Sequence, residues 1–223
     1  VTDHAPLPLR ATSPADERMV SVAEEFLRQA GQLLAAQSPA NMVLIRGFGG
    51  YPKLMTMQDA YGLDPVGIAG YPMYRGVARA VGMSTPETSY DLASETGLLT
   101  RLWSDSAADF FYVHVKKTDS AGEDGNFDLK VELLEDADTY LPAITDLNPD
   151  VLIVTGDHST PSTMGSHSWH GVPVAIASNR SLSMPASTFD ERSCAGGTLG
   201  HQSSASLMAL ALSHAGRMSK FGA

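Results

Sequence analysis

The sequence predicts an α/β fold, a three-layer α/β/α sandwich around a mainly parallel sheet. Two observations lead to this prediction: short continuous apolar runs that are typical of buried strands, and amphipathic segments with helical spacing that alternate with them. The length of 223 residues allows one large domain, or one domain together with part of another.

The first predicted helix follows residues 1–12, an extended segment without apolar periodicity. A Ser-Pro-Ala-Asp start signal occupies residues 13–16, and apolar residues then recur at helical spacing over residues 19–34. Residues 42–45 are short, apolar and followed by glycines, so they predict a buried strand. The glycines within residues 47–50 fit either a plain tight turn or a close approach of the backbone to a ligand.

The rest of the chain alternates between the two kinds of element. Strands are predicted at residues 66–69, 110–115, 151–154 and 172–177. Helices are predicted at residues 74–81, 92–103, 128–140 and 203–213. The last two strands are apolar throughout, which is typical of strands that are buried on both faces.

Composition excludes several classes of function. A formal charge of -10 and a pI near 5.0 argue against a nucleic-acid partner, because such a partner needs a dense basic surface. The longest apolar runs are far shorter than the roughly 20 residues of a membrane-spanning helix. The single cysteine, Cys194, excludes an internal disulfide and fits a reducing cytoplasm; its surroundings predict a packing role.

Two of the predicted strands lead into predicted loops, at residues 116–125 and 155–161, that are rich in metal-ligand types. Asp119 and Glu123 follow the strand at 110–115, and Asp157 and His158 follow the strand at 151–154. Sites in open α/β sheets form where segments leave the carboxyl ends of the strands. The sequence therefore predicts that these two segments meet at one site.

An Asp-His pair by itself also fits a helix cap beside a surface histidine. The further carboxylates, together with His167 nine residues beyond His158, favour metal binding instead. One site would take Asp157 and His158. A neighbouring site would take Asp119, Glu123 and His167.

These motifs resemble a known family. The segment Gly156–Pro161 followed by His167-Ser168, together with the segment His114–Asp119, is similar to the archaeal-type cofactor-independent phosphoglycerate mutases of the alkaline phosphatase superfamily. The resemblance covers nearly the whole chain, since it continues at Asn41–Gly47, Tyr61–Leu63, Tyr74–Met83, Cys194–Gly200 and Phe221–Ala223.

The resemblance implies a cytoplasmic isomerase of glycolysis, an intramolecular phosphotransferase that interconverts 3- and 2-phosphoglycerate through a phosphoserine. It implies two divalent ions, with Mn²⁺ favoured and Mg²⁺, Co²⁺ and Zn²⁺ open. Asp119 and His167 would bind one ion, and Asp157 and His158 the other.

The resemblance also implies substrate-binding cations. Arg46 and Arg75 stand where the family holds the phosphate and carboxylate of its substrate, and Arg75 replaces the usual lysine. Lys116 is a third candidate for binding the anionic substrate.

The chain departs from the family in two respects. Glu123 stands where many members have histidine, a change that favours Mn²⁺ or Mg²⁺ over Zn²⁺. No serine matches the nucleophile's motif, and the chain begins with Val1, so the alkaline phosphatase-like fold is predicted to be incomplete at its N-terminus. Residues 1–45 are predicted to be the tail of the inserted substrate-binding domain, and residues 46–223 the C-terminal part of the metal-binding domain.

An N-terminal segment or partner chain is therefore expected to complete the site, and the chain alone is expected to be inactive. Two other functions stay open. Glu123 motivates a metal-dependent phosphohydrolase, or a mutase of another phosphorylated metabolite. The missing nucleophile motivates a non-catalytic half that binds a partner. His114 is expected to pack in the interior, and His170 to lie outside the ligand set.

Overall fold

The computed structural model describes residues 7–50, 53–181 and 188–218. The chain divides into two compact units, Val1–Pro52 and Lys53–Ala223. The family match at Phe221–Ala223 and the first six residues of the predicted extended segment lie outside the described residues.

The described ranges contain eight α-helices and four strands. The helices are α1 (Glu17–Leu34), α2 (Met57–Tyr61), α3 (Pro72–Ala80), α4 (Leu92–Asp105), α5 (Lys117–Glu123), α6 (Phe127–Thr145), α7 (Glu191–Ala195) and α8 (Leu207–His214). The strands are β1 (Pro65–Ile68), β2 (Phe110–Val113), β3 (Val151–Thr155) and β4 (Val174–Ser178). Short 3₁₀ turns at Pro14–Asp16 and Ser204–Ser206 precede α1 and α8.

The first unit is built on α1, which begins where the sequence predicts. The Ser13 backbone N–H donates to the Asp16 carboxylate at 2.9 Å, as in a capping box. The strand predicted at residues 42–45 does not form, and Met42 and Leu44 are 58% and 69% exposed. A strand needs a neighbour for its backbone N–H and C=O groups, and none of the described strands pairs with this run.

The core of the second unit surrounds the parallel pair β1–β2, with Pro65 opposite Phe110 and Ile68 opposite Val113. Every residue of β1 is buried, as its continuous apolar run predicts. Helix α4 packs on both strands, and its Leu98 and Leu99 join Val66 and Ile68 in the central apolar cluster. This packing fixes the ends of β1 and β2, where the site begins.

The second strand pair, β3–β4, is antiparallel, with Val151 opposite Ser178 and Thr155 opposite Val174. The sequence predicts that both of these strands are buried on both faces. The prediction is wrong for β4, because alternate residues of this strand are exposed. An antiparallel pair can leave one face open, and an apolar run alone does not distinguish the two cases.

The predicted helices at 74–81, 92–103, 128–140 and 203–213 are confirmed within a few residues at their ends. The main difference concerns residues 116–125, which were expected to form a loop and instead contain α5. None of the helices in the described ranges is long and apolar enough to cross a bilayer.

Candidate metal centre

Helix α5 positions the first two candidate ligands. It begins at Lys117, four residues after the end of β2 at Val113, and carries Asp119 and Glu123. Residues four apart lie on the same face of an α-helix, so the two carboxylates share one side of α5. The four-residue spacing of Asp119 and Glu123 is visible in the sequence. It implies a shared helix face only once the segment is known to be helical.

The segment after β3 folds back on itself and brings two histidines together. The Ser168 N–H donates to the Ser159 carbonyl at 2.9 Å. This contact closes the nine-residue separation between His158 and His167, whose rings stack with centroids 3.8 Å apart and planes at 29°.

The two segments meet as predicted. Asp119, His158 and His167 each offer one ligand atom, and these atoms all lie within 4.8 Å of one another. Imidazole nitrogen and carboxylate oxygen suit divalent transition ions such as Mn²⁺ and Zn²⁺, so the donor set fits a metal.

The other two predicted ligands lie at the edges of this cluster. Glu123 Oε1 is 3.4 Å from His167 Nε2, and Asp157 Oδ2 is 3.5 Å from His158 Nε2. All five predicted ligands therefore lie in one connected group. Asp119 is the least exposed of them, with 13% of its side chain accessible.

Asp119 is held as a carboxylate. Burial opposes its ionisation, but bonds from Lys116 and Thr160 outweigh that effect and lower the pKa of its carboxyl below the usual value. The Lys116 ammonium contacts Asp119 Oδ2. Burial alone would lower the pKa of Lys116, yet the adjacent carboxylate more than compensates and raises it. Both groups therefore stay charged near neutral pH.

The three predicted substrate-binding cations differ in their surroundings. Lys116 lies beside the candidate metal ligands, where its ammonium forms an ion pair with the Asp119 carboxylate. Arg75 is on α3, where its Nη2 lies 3.4 Å from Glu87 Oε1 and its buried Nε has no partner among the described residues. Arg46 belongs to the first unit, where it is exposed, and its role stays a prediction.

Tyr74 contacts the site, although no feature of the sequence singles it out as a site residue. Its hydroxyl donates to Asp157 Oδ2 at 3.3 Å, and its ring stacks on His114 with centroids 3.5 Å apart. His114 is buried, in agreement with the packing role predicted for it, and burial lowers its pKa. Burial and the charge of Asp157 raise the pKa of Tyr74.

Thr160 and Lys130 also support the centre and were not predicted to do so. The Thr160 hydroxyl donates to Asp119 Oδ1 at 2.5 Å, and Lys130 Nζ donates to the Thr160 carbonyl at 2.5 Å. In the sequence, the one feature that could have indicated a role for Thr160 at the site is its position two residues after His158. His170 bonds the Ser168 hydroxyl and lies outside the ligand group found among the described residues.

Comparison with known proteins gives a consistent picture. The model of the metalloenzyme superfamily matches residues 21–214. A relative from Thermotoga sp. (strain RQ2) is 46% identical over 207 residues, which are 93% of this chain and 51% of the relative. A relative from Aquifex aeolicus (strain VF5) is 42% identical over 219 residues, 98% of this chain and 53% of the relative. Both are named "probable 2,3-bisphosphoglycerate-independent phosphoglycerate mutase".

Two solved structures share the fold. A protein from Pyrococcus horikoshii superposes with a TM-score of 0.82 at 30% identity, over 94% of this chain and 60% of that protein. The cofactor-independent phosphoglycerate mutase of Thermoplasma acidophilum superposes with a TM-score of 0.61 at 22% identity, over 94% of this chain and 56% of that enzyme. The predicted α/β fold class is thereby confirmed.

The chain spans about half the length of the curated relatives that it matches. The match to the family model, in contrast, extends over most of the chain and includes every predicted metal ligand. The chain therefore belongs to the metalloenzyme superfamily.

Proposed function

We propose that this chain supplies the metal-binding part of a 2,3-bisphosphoglycerate-independent phosphoglycerate mutase, an isomerase that interconverts 3- and 2-phosphoglycerate. The observation that carries the proposal is the convergence of Asp119, His158 and His167 from two separate segments, with their ligand atoms within 4.8 Å of one another. The names of relatives that are 41% to 46% identical support the choice of substrate.

Five side chains would hold two divalent metal ions. Asp119, Glu123 and His167 form one set, and Asp157 and His158 form the other. Mn²⁺ is the favoured ion because three of the five ligands are carboxylates. When bound, such ions act as Lewis acids that stabilise negative charge on a transferring phosphoryl group.

Basic side chains would hold the anionic substrate beside this centre. Lys116 keeps its charge next to the Asp119 carboxylate, so its ammonium can also bind a phosphate oxygen. The guanidinium of Arg75 has a buried Nε without a partner among the described residues, and its planar fork suits a carboxylate or a phosphate.

The nucleophile would come from outside this chain. In the proposed reaction a serine oxygen attacks the phosphorus of 3-phosphoglycerate, and the bond to the 3-oxygen breaks. The 2-hydroxyl then attacks the phosphoserine, which releases the serine and gives 2-phosphoglycerate. The chain covers 51% of its Thermotoga relative, and this fraction is consistent with a serine located in the remainder.

The domain assignment is part of the same proposal. Residues 1–45 would be the tail of an inserted substrate-binding domain, and residues 46–223 the C-terminal part of the metal-binding domain. The division of the chain into compact units after Pro52 supports a boundary in this region. The reaction would take place in the cytoplasm, where phosphoglycerate is available.

A fusion tests the proposal. This chain, joined to the half of the Thermotoga relative that it does not match, should interconvert the two phosphoglycerates in the presence of Mn²⁺. The chain alone should bind Mn²⁺ without turnover. The same fusion carrying Asp119→Asn is the matched control and should lose both metal and activity. A folded fusion with its full complement of Mn²⁺ and no isomer formation would exclude the mutase.

Glu123 favours a second candidate, a metal-dependent phosphohydrolase or a mutase of another phosphorylated metabolite. A changed ligand can change the charge and geometry at the metal, and with it the fate of the phosphoryl group. A panel of phosphorylated metabolites, scored separately for free phosphate and for isomers, distinguishes the candidates. Release of phosphate from several substrates, without isomer from phosphoglycerate, would favour the hydrolase.

A further inference from the structure

Thr160 stands between the two groups of metal ligands. Its hydroxyl oxygen lies 2.5 Å from Asp119 Oδ1 and 3.1 Å from His158 Nδ1. The residue is buried, with 4% of its surface exposed, so water does not compete for these contacts. A single hydroxyl therefore connects a ligand from α5 with a ligand from the segment after β3.

The Thr160 hydroxyl has one hydrogen, so it can donate only one of its two hydrogen bonds. A threonine hydroxyl has one hydrogen to donate, and an ionised carboxylate can only accept. The Thr160 hydroxyl donates this hydrogen to Asp119 Oδ1. Towards His158 the same oxygen can then only accept, so the hydrogen of that second bond belongs to Nδ1 of the imidazole.

This arrangement determines which nitrogen of His158 can bind a metal. With its hydrogen on Nδ1, the neutral ring has its free electron pair on Nε2. Nε2 is the nitrogen that lies 3.5 Å from Asp157 Oδ2, whereas Nδ1 is the one that lies 3.9 Å from Asp119 Oδ1. His158 is thereby directed to Asp157 and away from Asp119.

The geometry points to Thr160 as a positioning residue: we propose that its hydroxyl fixes the tautomer of His158 and so sorts the ligands into two sets. His158 Nε2 pairs with Asp157. Asp119 Oδ1 is left to His167 Nε2, which lies 3.6 Å away, with Glu123 beside it. The sorting into two metal sites rests on the proposed two-metal function, whereas the tautomer does not.

Neighbouring elements hold Thr160 in place. Lys130 Nζ on α6 donates to its carbonyl at 2.5 Å. On the other side, a Cβ added to Gly122 of α5 would lie only 2.3 Å from the same carbonyl, so the backbones are in close approach. These two helices hold the backbone of Thr160, and its hydroxyl is in turn held by Asp119, so the residue has the fixed position that a positioning role requires.

The test compares Thr160→Val, which removes the hydroxyl at nearly constant shape, with Thr160→Ser, which keeps it. Thr155→Val is the matched control, because among the described residues the Thr155 hydroxyl donates to the backbone carbonyls of Gly156 and Pro173 and to no candidate ligand. Two measurements are made on the 223-residue chain without phosphoglycerate. They are the ring-nitrogen NMR spectrum of His158 in the metal-free chain at about pH 8.5, above the ordinary histidine range, and the affinity for Mn²⁺.

The wild-type chain and Thr160→Ser should show the Nδ1–H tautomer and similar affinities. Thr160→Val should populate the other tautomer and bind Mn²⁺ about 10- to 100-fold more weakly, the usual effect of losing a group that orients a ligand. Thr155→Val should behave as the wild type.

Two results would overturn the proposal. One is a wild-type spectrum in which Nε2 carries the hydrogen, a result that requires no variant to fold. The other is a folded Thr160→Val variant with unchanged tautomer and affinity. Neither result depends on mutase activity, so the failure of this inference and the failure of the proposed function can be told apart.

Discussion

Glu95 is a carboxylic acid in the interior of the second unit, with only 3% of its surface exposed. It lies on α4 and accepts a hydrogen bond from the Gly70 N–H at 2.8 Å. Burial raises its pKa to about 7, and the bond from Gly70 only partly opposes this effect. Gly70 follows β1 and precedes α3, so Glu95 holds the turn that leads to Tyr74 and Arg75.

Glu95 should make the chain less stable as the pH rises. In the unfolded chain its pKa is near the ordinary glutamate value of 4.5, whereas in the folded chain it is about 7. Between these values the folded chain holds a proton that the unfolded chain has released, so the free energy of unfolding falls with rising pH and levels off above about 7. The loss is on the order of 3 kcal/mol. Urea unfolding at a series of pH values measures it.

Glu95→Gln provides the comparison, because the amide oxygen can still accept from Gly70 but carries no titrating proton. The difference in the free energy of unfolding between the wild type and Glu95→Gln should change between pH 4.5 and about 7 and stay constant at higher pH. Glu135→Gln, on the exposed face of α6, should leave the pH dependence as it is. Parallel pH profiles for the wild type and Glu95→Gln would contradict the assignment.

Glu123→His should shift the metal preference. Glu123 Oε1 lies 3.4 Å from His167 Nε2, so a histidine here would add a nitrogen donor at the edge of the cluster. Nitrogen ligands favour Zn²⁺ over Mn²⁺. The ratio of Zn²⁺ to Mn²⁺ affinity should rise by about tenfold, which corresponds to roughly 1.4 kcal/mol. Calorimetric titration with each ion measures the ratio.

Asp124→His is the control for this exchange. It introduces the same ring one position later on α5's C-terminal side, at a residue that does not belong to the ligand group. Equal shifts in the two variants would mean that Glu123 does not face the metal.

At the scale of elements, the sequence predicted most of the fold from apolar periodicity alone. The strands at β1, β2, β3 and β4 were found because continuous apolar runs need burial. Helix α5 was missed because Lys117–Glu123 contains little apolar surface: it is short and stabilised by its position between β2 and α6 rather than by its own pattern. Residues 42–45 were wrongly predicted to form a strand because the run is apolar. An apolar run forms a strand only where a neighbouring strand is available for pairing.

The candidate site likewise contains residues that the sequence predicts and residues that it does not. The sequence predicts that the five candidate metal ligands converge, because their residue types and spacing are typical of metal sites, and the structure brings them together. Thr160, Tyr74 and Lys130 were not predicted, because a hydroxyl or an ammonium becomes a supporting group only through its three-dimensional neighbours. Threonine and tyrosine are common at many positions, and nothing in their local sequence distinguishes these.

Two helical glycines should respond oppositely to alanine. In α5, a Cβ at Gly122 would meet the Thr160 carbonyl at 2.3 Å and Lys130 Nζ at 3.0 Å. In α4, a Cβ at Gly97 would meet nothing within 4 Å. Gly122→Ala should therefore destabilise the chain by about 1–3 kcal/mol through overpacking. Gly97→Ala should stabilise it by roughly 0.5–1 kcal/mol through helix propensity.

Urea unfolding of the two variants gives the sign and size of each effect. Gly122→Ala should also weaken Mn²⁺ binding, since it displaces Thr160, and Gly97→Ala should not. The same sign of stability change in both variants would contradict the close approach of α5 to the segment after β3.

At the scale of the whole molecule, charge and ligand placement act together. The chain carries a formal charge of -10, and several of its acidic groups are collected near the site. Bringing Asp119, Glu123 and Asp157 near one another costs free energy through repulsion of like charges, and a divalent cation removes that cost. Folding and metal binding should therefore be coupled, because the unfolded chain does not hold these ligands together.

Mn²⁺ should raise the melting temperature of the chain in a way that depends on this cluster. At a free concentration about 100 times the dissociation constant, binding to the folded state adds about 2.7 kcal/mol to the free energy of unfolding. For a chain of this size that gives a rise of roughly 5–10 °C. Calorimetric melting with Mn²⁺, and again after a chelator, measures the rise and its reversal. His167→Ala should lose most of the rise, whereas His201→Ala, which changes an exposed histidine outside the ligand group, should keep it. If both variants melted with the same increase as the wild type, the stabilising ion would be bound elsewhere on the acidic surface, and the five converging ligands would not be the metal centre.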